Sequence, residues 1–279
     1  MCQKPKKNNI MEALLETTKF LQNKLTQKPE IGIILGTGLG GLVNYVEIEQ
    51  TIPYGNIPNF PVSTVESHKG KLIIGKIAGK DVMIMQGRFH YYEGYSMEQI
   101  TFPIRVMKML GVETLFVSNA SGGLQSYMEV SDLLFITDHI NLLPDNPLRG
   151  NPFPKLGPMF PDMSEAYDKE LLGRAEQIAI RENIRFHKGV YVSVAGPNLE
   201  TKAEYKYLRV IGGDAVGMST VPEIIVAKHQ GMRCFAISVI TDVGHEDKIK
   251  KVDLQEILEA AKQAEPAMVK IISELIASL

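Results

Sequence analysis

Ile31-Gly32-Ile33-Ile34-Leu35-Gly36-Thr37-Gly38-Leu39-Gly40-Gly41 is the stretch that decides the fold class. Its apolar, β-branched start breaks off in glycines, the pattern of a strand buried on both faces. The glycines also satisfy G-x-G-x-x-G, which after a strand can open a dinucleotide-binding helix. That reading needs a helix beginning in the loop and an acidic residue about 20 positions later. Here Val43–Thr51 is rich in β-formers, Pro53 follows, and Asn56 stands at the expected offset. No room is left for the helix, so a nicotinamide-dependent oxidoreductase would rest on the glycines alone. What the loop keeps is backbone that an anion can approach closely, with the Thr37 hydroxyl beside it. A purely structural tight turn is the competing reading.

Outward from this stretch, helix and strand signals alternate. Apolar spacing predicts an amphipathic helix over Glu12–Leu25. Leu72–Ile77 and Val82–Gln86 read as a hairpin, and Met97–Leu110 as a helix stopped by Gly111. Thr114–Ser118 and Leu133–Thr137 read as buried strands. Six prolines between Pro144 and Pro161 exclude regular structure there, and long loops in compact domains are often functional. Beyond them come a helix over Ser164–Asn183 with Ser164 as cap, a strand over Phe186–Val194 and a helix over Thr201–Ile211. A short strand over Asp214–Gly217, a helix over Val221–Gln230, a strand over Arg233–Thr241 and a closing helix over Asp253–Leu279 complete the chain. This is a mixed α/β sheet with helices on both faces, whose site is expected in the loops at strand ends.

Composition narrows the function classes. The chain has 279 residues, 44% hydrophobic and 22% charged, which excludes disorder for its bulk. With 30 Lys+Arg against 32 Asp+Glu the net charge is −2, without the basic excess of a nucleic-acid binder. Lys4, Lys6 and Lys7 belong to a polar segment, residues 1–9, read as a flexible tail. Two cysteines, Cys2 and Cys234, make neither a disulfide framework nor a zinc knuckle. Cys234 lies in the apolar run Met232–Ile240 and reads as a buried structural thiol. The start lacks an apolar signal region, and Ile31–Val43 is too short and glycine-rich to span a bilayer. A soluble, cytoplasmic protein is expected, with no membrane or nucleic-acid partner.

Three further places carry chemistry. Gly87-Arg88-Phe89-His90 follows a strand; Arg88 can grip an oxyanion through its planar fork, and His90 faces the same side if the chain stays extended. His68, on the preceding loop, can join them. Each alone is ordinary surface or core filler; with the glycine loop they make an anion site, most simply for phosphate. Ser118-Asn119-Ala120-Ser121-Gly122-Gly123 ends another strand in small residues, against which a ligand can lie. In Gly212–Glu223, Ser219 or Thr220 can cap the helix that begins near Pro222, and that helix end also favours anions.

These strings together resemble the trimeric purine nucleoside phosphorylases. The matching stretches are Leu35–Gly40, Gly87–Tyr95, Asn119–Leu124, Gly196–Thr201 and Asp214–Glu223, in family order, and the likeness runs from about Ile31 to the last helix. The resemblance implies one domain over residues 1–279, a mixed and partly barrel-like sheet surrounded by helices, and residues 144–162 as an active-site loop. It implies reversible phosphorolysis: phosphate attacks C1′ of a purine (deoxy)ribonucleoside and releases the base and (deoxy)ribose 1-phosphate. By matching position, phosphate would be held by Thr37, Arg88, His90, the Ala120 amide and Ser219, with His68 nearby. Tyr92 and Met218 would contact the ribose, and Phe160 would lean over the ribose of a neighbouring subunit. Glu200 would read the purine N1–H edge, Leu199 and Val216 would sandwich the ring beside Gly217, and Asp242 would face N7 and the 6-position. His90, Glu200 and Asp242 would carry the catalysis, without metal or organic cofactor.

Two positions depart from the family pattern. The 6-oxopurine members usually carry Asn where Asp242 stands, and an ionised carboxylate cannot donate to N7 or O6 as an amide does. Asp242 must be protonated for that part, which burial favours, or else it accepts from a 6-amino group. The family often has His facing the ribose 5′-OH where Leu254 stands, and an apolar side chain there tolerates a 5′-methylthio group. Both changes lean toward 6-aminopurine or methylthioadenosine phosphorylases. Glu200 argues the other way, because a carboxylate suits the protonated N1 of hypoxanthine and guanine and repels the N1 lone pair of adenine. Inosine and guanosine phosphorolysis ranks first; a catalytically silent nucleoside-binding protein is the alternative of another class.

Overall fold

The structure is a computed structural model that describes residues 8–37, 39–62, 70–150, 154–245, 248–251 and 253–279. Gly38, His68 and Cys2 lie outside the described residues. Among the described residues nine strands form one sheet: β1 (Ile31–Leu35), β2 (Glu47–Pro53), β3 (Lys71–Ile77), β4 (Lys80–Gln86), β5 (Thr114–Gly123), β6 (Leu133–Asn141), β7 (Phe186–Ser193), β8 (Ala215–Gly217) and β9 (Arg233–Val243). Their order is β2-β3-β4-β1-β5-β8-β7-β6-β9, and β9 pairs back onto β5. The five strands β5, β8, β7, β6 and β9 therefore close into a barrel, while β1, β4, β3 and β2 extend from it as an open wing. β1 is parallel to both β4 and β5 and buried along its length, as its unbroken apolar run requires.

Helices α1 (Asn8–Gln22), α2 (Met97–Leu110), α3 (Lys169–Arg181), α4 (Lys202–Val210), α5 (Val221–His229) and α6 (Leu254–Ala277) surround the sheet. A large apolar cluster joins the wing, the barrel and most of the helices; a smaller one gathers Leu124, Val192, Tyr205, Leu208 and Val216. α2 follows its local signals closely: Ser96 and Gln99 form a capping box, and Gly111 closes the helix in the left-handed region at φ 114°. None of the helices among the described residues is long and apolar enough to cross a membrane.

Several boundaries differ from the sequence reading. The first helix begins at Asn8, inside the segment read as tail. A six-residue 3₁₀ helix, Gly40–Tyr45, fits between the glycine loop and β2, so β2 starts at Glu47 rather than Val43. β5 and β9 run past their apolar portions to Gly123 and Val243, because they pair with each other from Thr114↔Arg233 to Gly123↔Val243. That long-range ladder overrides the poor strand propensity of Asn, Ser and Gly.

α3 is shorter than Ser164–Asn183, and Ser164 does not cap it. Its N-cap is Asp168, which accepts from the Leu171 amide and from two nitrogens of Arg233 at 2.7 and 2.9 Å. The Arg233 partnership lies 65 residues away and leaves no local trace. The Ser164 amide instead donates to Asp162. Between Pro144 and Asp168 the described chain is irregular, as the prolines require.

Candidate active site

The wing and the barrel meet at Gly36. Its amide donates to Ser118 Oγ at 3.2 Å, and a Cβ there would stand 2.8 Å from the Asn119 Cα and the Ser118 carbonyl. Only glycine lets the loop after β1 lie against β5 so closely. Beside this contact opens a cleft lined by Thr37, Arg88, His90, Tyr92, Asn119, Ala120, Ser121, Gly122, Leu199, Glu200, Tyr205, Val216, Gly217, Met218, Ser219, Thr241, Asp242, Leu254 and Ile257.

Arg88 leaves β4 and is buried, 2% exposed. Its Nη1 donates to the Ser118 carbonyl at 2.9 Å and to Ser219 Oγ at 3.0 Å, and its Nε lies 3.1 Å from Glu223 Oε1 in the first turn of α5. Its Nη2 has no hydrogen-bond partner among the described residues, nor does the buried Ser121 hydroxyl. A buried donor without an acceptor is costly unless a ligand supplies one. His90 packs beside Arg88 and stacks on Tyr92, ring centroids 4.6 Å apart. Its Nδ1 and its backbone N–H both face Glu93 Oε1 at 2.8 Å. Burial pulls the His90 pKa down, partly opposed by Glu93, so the ring is neutral at neutral pH. The Glu93 carboxylate only accepts, so in the tautomer with the proton on Nδ1 the accepting nitrogen is Nε2.

Ser219 and Thr220 do not cap α5 with their side chains. Thr220 holds the N-cap position at φ 71° and makes no cap hydrogen bond. Its hydroxyl accepts from Asn119 Nδ2 at 2.9 Å, Asn119 Oδ1 accepts from Ser238, and Ser193 Oγ donates to the Ser219 carbonyl. Strands β5, β7 and β9 thus hold the segment in a backbone region that is an outlier for a β-branched residue, and Ser219 Oγ is turned onto Arg88. Tertiary hydrogen bonds have replaced the local cap.

The other end of the cleft holds two carboxyls. Glu200 precedes Thr201, the N-cap of α4, which forms a capping box with Glu204. Asp242 is the penultimate residue of β9, with Oδ1 accepting from Thr241 Oγ1 at 3.1 Å. A Cβ on Gly122 would stand 3.1 Å from Asp242 Oδ2. Ser118 touches Arg88 and Gly122 adjoins Asp242, so four strand residues separate the two ends, roughly 13 Å. Burial raises both carboxyls, and for Glu200 the neighbouring Asp242 charge adds to the effect. Tyr205 lines the cleft with them, its hydroxyl 3.4 Å from Asp242 Oδ2.

A group whose folded pKa lies above its unfolded value stabilises below the unfolded pKa and loses that contribution as pH rises through the folded one. Asp242 is such a group. Asp242→Asn should therefore raise the melting temperature at neutral pH, with the gain shrinking toward pH 4. A melting temperature unchanged at pH 7 would contradict the burial of an ionisable carboxyl there.

Of the residues singled out in the sequence, Thr37, Arg88, His90, Ala120, Ser219, Tyr92, Met218, Leu254, Leu199, Glu200, Val216, Gly217 and Asp242 all line this one cleft. Leu254 opens α6 at its rim, 64% exposed. Phe160 does not line it and is 84% exposed. His68 lies outside the described residues. Tyr205, Thr241 and Ile257 in the lining carried no signal; Asn119, and Glu223 behind Arg88, stood only inside motifs. Ser121 and Gly122 stood only inside a motif.

This cleft on this sheet defines a class of protein. The chain belongs to the phosphorylase superfamily, whose family model matches residues 30–277. It is 49% identical over 258 residues to purine nucleoside phosphorylase 1 of Bacillus subtilis, covering 92% of this chain and 95% of that one. The purine nucleoside phosphorylase of Schistosoma mansoni in complex with inosine superposes with a TM-score of 0.91 at 40% identity, covering 96% of this chain and 97% of the other. The structure of that organism's enzyme in complex with adenosine superposes with a TM-score of 0.90 at 41% identity, covering 96% and 98%.

Proposed function

We infer that this chain is an enzyme that catalyses the reversible phosphorolysis of purine (deoxy)ribonucleosides, inosine and guanosine first, yielding the free base and (deoxy)ribose 1-phosphate. The observation that carries this reading is the buried Arg88, whose Nη2 lacks an acceptor among the described residues, in the same cleft as Glu200 and Asp242. One end suits an oxyanion and the other a heterocycle with both donors and acceptors. The relatives that are purine nucleoside phosphorylases over nearly their whole length favour this reading over a methylthioadenosine or strictly 6-aminopurine enzyme.

In this reading, inorganic phosphate lies on Arg88, Ser219, Thr37 and the Ala120 amide. The Nε2 of neutral His90 accepts from a protonated phosphate oxygen. The ribose lies against Tyr92 and Met218, and the purine between Leu199 and Val216. A phosphate oxygen attacks C1′ as the bond to N9 breaks, through a transition state with positive charge on the sugar and negative charge on the departing base. The phosphate charge stabilises the first, and a proton on Asp242 directed at N7 the second. Glu200 accepts from N1–H. Bringing two substrates together in line supplies much of the remaining acceleration. No metal or organic cofactor enters these steps.

The exposed Phe160 fits a homotrimer in which this side chain reaches a neighbouring subunit's ribose. A sedimentation mass of three chains supports that assembly, and a single-chain mass excludes it. The reaction is tested by base release from inosine and guanosine with and without phosphate. Phosphate-dependent release of hypoxanthine and guanine is expected; ligand-induced stabilisation without any phosphate consumption would make the chain a silent nucleoside binder.

A further inference from the structure

β8 pairs with β7 through Tyr191↔Ala215, Val192↔Val216 and Ser193↔Gly217, and the Val194 amide donates to the Gly217 carbonyl at 2.9 Å. There the ladder ends, and the chain runs on through Met218 and Ser219 to α5. Side chains of β7 take over from its backbone. Tyr191 and Ser193 stand two apart on the strand, so they share one face, and both are fully buried. The Ser219 amide donates to the Tyr191 hydroxyl at 3.4 Å, and Ser193 Oγ donates to the Ser219 carbonyl at 3.1 Å. Gly217 gives the phenol its place: a Cβ there would stand 3.1 Å from Tyr191 Cζ and overlap the hydroxyl. With Arg88 Nη1 on its hydroxyl at 3.0 Å, Ser219 has its amide, its carbonyl and its side chain each held by a side chain from outside its own segment.

This clasp opposes a local preference. The Ser219 carbonyl also accepts from the Val221 amide at 2.8 Å across Thr220, whose φ of 71° and ψ of −53° are those of the rare, strained form of γ-turn. A β-branched residue stays in that region only where its surroundings over-determine it. Relaxed to the extended region, Ser219-Thr220-Val221-Pro222 is the start of an ordinary capped helix, in which a hydroxyl accepts from an amide of the first turn. That relaxation would rotate the Ser219 carbonyl and turn the Ser219 hydroxyl away from Arg88. Asn119 opposes it from β5 by holding the Thr220 hydroxyl, and Tyr191 and Ser193 oppose it by holding the backbone just before the turn.

We propose that Tyr191 and Ser193 are positioning residues for phosphate: by fixing the Ser219 amide and carbonyl from β7, they keep the turn at Thr220 closed and the Ser219 hydroxyl beside Arg88 at the anion end of the cleft. Neither residue lines the cleft, so both act through Ser219. Their action is confined to one end, because Glu200 and Asp242 are carried by the segment before α4 and by β9. This rests on the phosphorolysis reading above.

Tyr191→Phe keeps the ring and deletes the hydroxyl, and Ser193→Ala deletes only Oγ. The test is steady-state base release, with phosphate varied at saturating inosine and inosine varied at saturating phosphate. It compares the wild type, each variant, the pair, Ser219→Ala, and Ser219→Ala combined with the pair. Melting temperatures establish folding, and if Tyr191→Phe does not fold, Ser193→Ala carries the test. Each single variant is expected to raise the phosphate KM about three- to tenfold, the effect of one hydrogen bond, and the pair further, while the inosine KM stays within about twofold. In the Ser219→Ala background the pair is expected to cost nothing more on phosphate, because the group it positions is gone. Equal rises for both substrates make the two residues part of the general packing and overturn the proposal. So does an unchanged phosphate KM, or a loss in the Ser219→Ala background as large as in the wild type. A wild type that releases no base from inosine with phosphate overturns the phosphorolysis reading itself.

Discussion

Arg88→Ala should lower kcat/KM for phosphate by about a hundredfold to a thousandfold, the range seen when one charge-stabilising donor is removed from a preorganised site. The side chain is buried and holds Ser219 by its Nη1, so its loss also dissolves the geometry of that hydroxyl. It leaves Glu223, 2% exposed, without the guanidinium beside it. Stranding one member of a buried ion pair costs about 3–5 kcal/mol, so the melting temperature should fall as well. The two effects separate in Arg88→Met combined with Glu223→Leu: removing both charges should recover most of the stability and none of the activity. Steady-state kinetics with phosphate varied at saturating inosine, run beside thermal melts, provide the check. Unaltered phosphate kinetics in folded Arg88→Ala would remove this side chain from the anion site.

Glu200→Ala should have an effect of similar size at the opposite end. Loss of the acceptor for N1–H is expected to lower kcat/KM for inosine by about a hundredfold or more, since a site built to hydrogen-bond its substrate is costly to leave unpaired. Stability should move in the other direction. Burial raises the Glu200 carboxyl, which therefore contributes stability only below its unfolded pKa and is a burden at neutral pH, where an ionised group is kept partly out of water. A melting temperature at pH 7 that is maintained or raised, together with collapsed turnover on inosine, distinguishes a functional carboxyl from a structural one. Unchanged turnover would sink its assignment to the base edge.

Both variants address residues legible as motif members, and the reason lies in chemistry that is local in the chain. Arg88 and His90 sit two apart after an apolar strand, and Glu200 stands immediately before the capping Thr201, whatever surrounds them. Their partners were not legible. Glu223 lies 135 residues beyond Arg88, and as the last residue of the Asp214–Glu223 stretch it carries no sign of that partner. Tyr205 looks like one more apolar-face residue of α4 until Gly244 and the end of β9 are placed against it. Ser219 and Thr220 before Pro222 read as helix caps; Arg88 and Asn119, from distant parts of the chain, claim those hydroxyls instead, and Ser193 holds the Ser219 carbonyl.

The same division runs through the fold. Short-range apolar runs and glycine or proline breaks were enough for β1, the β3–β4 hairpin, α2 and the irregular described part of Pro144–Pro161, because burial on two faces and backbone restriction are written in neighbouring residues. The extension of β5 through Asn119–Gly123 came from its ladder with β9, and the start of α3 from the clasp of Arg233 on Asp168. The sequence by itself determined which side chains could bind an anion and a purine edge and in what order they come. Tertiary structure alone decided that barrel closure brings them into one cleft, and that Tyr205 joins Asp242 and Glu200 in its lining. Such proximity depends on contacts between residues far apart in the chain, which local patterns do not encode.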